Sequence, residues 1–136
     1  WCVSKGYNDT QMTGIPKGNY TSAADASKIL CDIQEGRLKH SAKMKALLQT
    51  QAHPGRMLAN LPSEARTANK PGWIDFCEND TVLVDAPFGT YVVTMLCDGL
   101  PSSTAGKNLM ARISPLVYNW MKENLNTGSS IPEWAR

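Results

Sequence analysis

Runs of charge are missing from this sequence. Its 14 basic and 12 acidic residues leave a net charge of +2. That is too little for an electrostatic grip on nucleic acid or on a membrane surface, and no Lys/Arg run stands out. Long apolar runs are missing too, so no membrane span is expected. Histidine is scarce, with only His40 and His53. No two of the cysteines, Cys2, Cys31, Cys77 and Cys97, have Cys-x-x-Cys spacing. Neither a metal site nor a cofactor is therefore expected. Internal repeats and low-complexity tracts are also absent.

What remains reads as one globular domain. The chain has 136 residues, 42% of them hydrophobic and 19% charged, enough to bury a real core. It begins at Trp1, and Lys5, Tyr7, Asn8 and Asp9 interrupt its start. No signal peptide is expected in it, and the chain is expected to be a processed product or a piece of something longer. Cys31 and Cys97 lie in apolar runs, so buried free thiols are expected ahead of disulfides. Asn8, Asn19 and Asn79 open N-x-S/T sequons, read here as chance features of Asn-rich turns.

Residues 1–20 hold Gly6, Gly14, Pro16 and Gly18 without sustained periodicity and read as an N-terminal loop segment. A helix opens at Thr21 or Ser22 with a capping-box-like Ser22-Ala23-Ala24-Asp25. Ala26, Ile29, Leu30 and Ile33 form its apolar face, and Gly36 ends it. Ser41 starts a second helix with Met44, Leu47 and Leu48 inward, stopped by Pro54-Gly55. The period then changes from helix to strand. Residues 66–75, 81–86 and 90–97 read as strands, with Glu78-Asn79-Asp80 and Pro87-Phe88-Gly89 as turn material. The last strand is apolar enough to expect burial on both faces. A final helix is expected over about 104–124 with Pro115 inside it as a kink, and 126–136 as a tail anchored by Trp134. The fold class is therefore α+β: a helical hairpin, then a three-stranded antiparallel meander packed on a C-terminal helix. The third strand would keep an unpaired edge that a complete protein would cover, a hint that part of the fold is missing here; a homodimer through that edge is another way to supply the cover.

The segment Arg66-Thr67-Ala68-Asn69-Lys70-Pro71-Gly72-Trp73-Ile74, followed by Asn79-Asp80 and a Pro-Phe-Gly turn, carries the chemistry. Together with Asn19 to Asp25, Ser41 to Gln51 and Leu61-Pro62, it resembles the C-terminal half of the penicillin-interactive serine hydrolases. The likeness is greatest to the class A β-lactamase-like group and covers about residues 7–122, so that 21–125 reads as the C-terminal part of such a domain. It implies a partial β-lactamase/transpeptidase-like fold, acyl transfer to a serine, a β-lactam or related amide or ester as substrate, and an extracytoplasmic location.

By this resemblance Lys70 matches the lysine of the family's Lys-Thr-Gly triad and Gly72 its glycine. Trp73 matches the residue whose N–H forms part of the oxyanion hole. The resemblance thus implies Lys70 and Trp73 as catalytic residues, and Lys70, Pro71 and Gly72 as substrate-binding ones. Pro71 stands where the family has Thr, so one hydroxyl contact to the substrate carboxylate is lost. Proline suits an edge strand and holds Lys70 extended. The sequence contains no Ser-x-x-Lys and no Ser-x-Asn, and Glu123-x-x-Asn126 comes too late to replace the family's deacylation loop. The chain alone is therefore expected not to hydrolyse a β-lactam.

Other readings stand beside this one. A degenerate, non-catalytic penicillin-binding-type module would bind or scaffold without turnover. An unrelated α+β domain would use Lys-Pro-Gly as a mere turn. His40 and His53 are expected to be solvated without an orienting partner, Arg66 and Asp75 to be solvated strand charges, and Met44, Met57, Met95, Met110 and Met121 to fill the core.

Overall fold

The computed structural model describes residues 1–14 and 18–126. The Trp134 anchor and most of the expected tail lie outside them, as does Pro16. Three helices and three strands follow in the expected order: α1 (Ala23–Gln34), α2 (Ser41–Leu48), β1 (Arg66–Ile74), β2 (Cys77–Ala86), β3 (Gly89–Cys97) and α3 (Ser103–Asn126). The strands form one antiparallel sheet in the order β1-β2-β3.

Local chemistry explains several boundaries. The Ser22 hydroxyl accepts from the Asp25 N–H at 3.1 Å and caps α1, which satisfies an orphan donor of the first turn. α2 stops at Leu48, short of Pro54-Gly55. Pro115 lies inside a continuous α3. A proline there has no N–H for the carbonyl four residues back; the Asn60 amide donates to that Ala111 carbonyl at 2.8 Å instead.

The sheet is covered on both faces. Leu30 and Ile33 of α1 meet Ala68 and Leu83, with Met44 and Leu48 of α2 beside them. On the other face Val82, Val84, Ala86 and Tyr91 meet Met57 and the Met110 and Tyr118 side chains of α3. This corrects which strand is closed off. β2, the central strand, is buried on both faces, whereas β3 is mostly half-exposed. Leu47 points outward rather than inward. The five methionines named above either lie in the core or pack against it.

The first loop is better anchored than its composition suggests. Tyr7 is wholly buried, and its hydroxyl donates to Asp32 at 2.6 Å. Gln11 and Tyr20 form an isolated β-bridge. All four cysteines are free, as expected, but half-buried rather than buried.

Candidate functional site

Lys70, Pro71, Gly72 and Trp73 run consecutively along β1, whose outer edge pairs with no other strand among the described residues. An edge strand tolerates Pro71 because no partner needs its N–H. Strand alternation sends neighbouring side chains to opposite faces. Lys70 pairs across to Thr81 and Gly72 to Asn79, on the α1 side shared with Leu83. Pro71 pairs across to Asp80 and Trp73 to Glu78, on the α3 side. The strand therefore brings the four residues into one row but keeps the Lys70 ammonium and the Trp73 ring on opposite faces.

Lys70 is exposed, and its ammonium donates to the Pro71 carbonyl. A side chain added at Gly72 would meet no atom within 4 Å, so packing inside this chain does not require glycine. Pro71 is fully buried. Trp73 is half-exposed and held by its ring: the Arg56 guanidinium lies 4.5 Å from the ring centroid, and His53 meets it edge-on at 5.1 Å. His53 thus has an aromatic partner that the sequence did not suggest. Arg66 and Asp75 are exposed, as expected, with Arg66 3.6 Å from Asp85.

Glu78-Asn79-Asp80 is not a turn. It lies within β2, and the turn is Asp75-Phe76, with Phe76 at φ 63°. Two acidic residues in a buried strand read as turn residues only while their partners are unknown. Glu78 is paired with Arg56 at 2.5 Å, accepts from the Ser103 hydroxyl and has Lys107 at 4.0 Å. Burial pushes the Glu78 pKa up, but these hydrogen bonds and cations outweigh it and hold it below the usual glutamate range. Asp80 accepts from the Asn69 amide at 3.0 Å, and its second carboxylate oxygen has no hydrogen-bond partner in good geometry. Burial dominates there and pushes its pKa up, opposed by Asn69, the Met57 backbone N–H, Arg56 and Lys70.

Arg56, Glu78, Asn69 and Asp80 are the polar residues of this region that sequence reasoning missed. Arg56 follows Pro54-Gly55 and takes a left-handed φ of 59°, a strained backbone that its buried ion pair helps to hold. Asn69 left a trace in the sequence, since it alternates with Pro71 and Trp73 on one strand face. A hollow of about 460 Å³ adjoins this group, bounded by Trp73, Ile74, Phe76, Glu78 and Ser103. A slightly larger one, about 500 Å³, lies between Tyr20 and the far end of β3 and shares no residue with Lys70–Trp73. Among the described residues, no three His, Cys, Asp or Glu side chains gather as a metal site, and no helix is long and apolar enough to cross a membrane.

Comparison with known proteins places this geometry. The chain resembles a PBP-A mutant solved as its acyl-enzyme complex with penicillin G, with a TM-score of 0.80 and 22% identity over 89% of this chain and 49% of that one. It is similar to a beta-lactamase from Sphaerobacter thermophilus, at TM-score 0.75 and 23% identity over 85% of this chain and 49% of that one. A Francisella tularensis beta-lactamase aligns at TM-score 0.76 and 16% identity, over 89% and 53% respectively. At these identities the likeness is one of fold, and the chain spans about half the length of each. No curated protein matches. The model of the beta-lactamase enzyme family matches residues 1–121, a span that takes in the whole sheet, both helical layers and the Lys70–Trp73 row; the chain belongs to that family.

Proposed function

We propose that this chain carries the substrate-holding part of a serine acyl-transfer site acting on a β-lactam or a related amide or ester. The observation that supports it best is the row Lys70-Pro71-Gly72-Trp73 on an unpaired edge strand. In this reading Lys70 supplies positive charge to an anionic substrate. Gly72 leaves room for close approach, and the Trp73 backbone N–H is one donor to the oxyanion. The attacking serine and its base come from outside these residues, since no Ser-x-x-Lys occurs here. Acyl transfer needs a nucleophile within hydrogen-bond reach of a base, so the chain by itself neither hydrolyses a β-lactam nor becomes acylated.

The absence of that motif, together with Pro71 in place of a hydroxyl residue, also favours a second reading: a binding or scaffolding module of penicillin-binding type. One measurement tests the binding row and a second separates the two readings. Titrating benzylpenicillin into the isotope-labelled chain should shift the Lys70, Gly72 and Trp73 amides, and Lys70→Ala should abolish the shifts. No shift at these amides would sink the substrate-holding role. The product of the full coding sequence should form a covalent penicillin adduct; if it does not, the non-catalytic reading stands. Turnover of a chromogenic cephalosporin by the 136-residue chain, lost in Lys70→Ala, would contradict the inactivity of the chain alone.

A further inference from the structure

The hairpin that joins β1 to β2 fixes which way the Trp73 amide faces. A two-residue turn, Asp75-Phe76, closes it between Ile74 and Cys77. The pair that closes such a turn exchanges hydrogen bonds. The next pair, Trp73 and Glu78, therefore does not, and the Trp73 N–H points away from β2 toward the outer edge. Pro71 is in the same phase. It has no N–H, and its carbonyl, turned the same way, accepts from the Lys70 ammonium.

An outward N–H serves a site only if its direction is held. The neighbours of Trp73 do little to hold it. Gly72 has no side chain to anchor it, Ile74 is 75% exposed and Asp75 is exposed as well. The turn itself is tied through its backbone, where the Phe76 carbonyl accepts from the Leu100 N–H at 3.0 Å. Trp73 is held by its ring instead. The Arg56 guanidinium lies 4.5 Å from the ring centroid, and His53, three residues before Arg56, meets the ring edge-on.

Arg56 is itself fixed. It is 4% exposed, its Nε donates to Glu78 at 2.5 Å, and its backbone takes a left-handed φ of 59°. A strained backbone of that kind persists where its surroundings over-determine it. Arginine also suits the place in a way that lysine does not. The edge of its planar fork bonds a carboxylate while its flat face stacks on an aromatic ring. Glu78 is wholly buried, so the clamp is built from residues of this chain alone.

We infer that Arg56 is a positioning residue for the proposed acyl-transfer site: seated on Glu78, it clamps the Trp73 ring and thereby aims the Trp73 N–H at the oxygen of the acyl group. Arg56 touches no reacting atom and acts through Trp73. The inference rests on the substrate-holding role proposed above for the Lys70–Trp73 row.

Nitrogen-15 relaxation of the chain, with and without benzylpenicillin, tests it. In the unaltered chain the Trp73 N–H should be as rigid as the strand, with an order parameter of about 0.85. Arg56→Lys keeps a cation for Glu78 but removes the flat face. The Trp73 order parameter should then fall below about 0.6. The Trp73 amide should also lose its penicillin shift, while Lys70 and Gly72 keep theirs. Trp73→Phe and Trp73→Leu repeat the test without touching the buried ion pair, and they decide it if Arg56→Lys fails to fold. The phenylalanine variant should keep the rigid amide and its shift, and the leucine variant should lose both. A rigid amide at position 73 in folded Arg56→Lys, or in Trp73→Leu, overturns the inference. Equal loss of the shift at Lys70, Gly72 and Trp73 overturns it too, because Arg56 would then support the whole strand. Absence of any penicillin shift in the unaltered chain sinks the substrate-holding role, and the clamp is then judged by the order parameters alone.

Discussion

Asp32 in the helical layer and Asp80 behind the open strand are both nearly inaccessible, at 3% and 0% exposure, but their surroundings treat the charge in opposite ways. Burial would raise the Asp32 pKa, but hydrogen bonds from Tyr7, Lys28 and Arg37 overcome it and hold the pKa at about 2. Asp80 has one side-chain donor, Asn69, and burial prevails. Two residues from Asp80, Glu78 is equally buried but has Arg56 and Ser103. What separates these carboxylates is both the number of donors aimed at them and depth: Asp80 lies deeper below the surface than the other two and has the fewest donors. The region carrying the proposed site therefore holds one fully neutralised acid and one that resists ionisation.

The largest expected effect breaks the neutralised pair. Glu78→Gln strands the Arg56 guanidinium in the interior, and such a loss costs about 3–5 kcal/mol. Urea denaturation should show it, together with a change in Trp73 fluorescence, because Arg56 stacks on that ring. A loss under about 1 kcal/mol would mean that water reaches Arg56 and that the pair is not truly buried.

A smaller effect is expected in the helical layer. Asp32→Asn should cost on the order of 1–2 kcal/mol at neutral pH, discounted because Lys28 and Arg37 are themselves about half exposed. The folded pKa of Asp32 is depressed, so its contribution is complete above the unfolded aspartate value of about 3.9 and drains away as pH falls toward about 2. The difference in unfolding midpoint between the two proteins should shrink over that acid range. A difference that stays constant with pH would remove the electrostatic explanation.

Asp80→Asn should give the smallest effect and the opposite sign. The folded pKa is raised, so the acid favours folding below about pH 3.9 and loses that advantage as pH rises through its folded value. At pH 7 the neutral amide should therefore stabilise by about 1 kcal/mol, and the gain should disappear in acid. Destabilisation at pH 7 would show instead that the ionised carboxylate is needed beside Met57, Arg56 and Lys70.

Much of the fold was legible because short-range rules govern it. Ser22 capped the helix it was expected to cap. The change from helical to alternating apolar period near Arg66 located the sheet, and Pro71 marked an edge strand because proline cannot donate to a second neighbour. The Lys70-Pro71-Gly72-Trp73 row was visible as a contiguous motif. Glu78 and Asp80 were misread because their partners Arg56, Ser103 and Asn69 lie between 11 and 25 residues away, and a buried charge looks like a turn residue until its counter-charge is located. Which strand is closed off on both faces, which face of α3 stays exposed, and that Trp73 rests on Arg56 and His53 were decided only in three dimensions. Each depends on contacts between segments far apart in the chain, and local propensity carries no record of them.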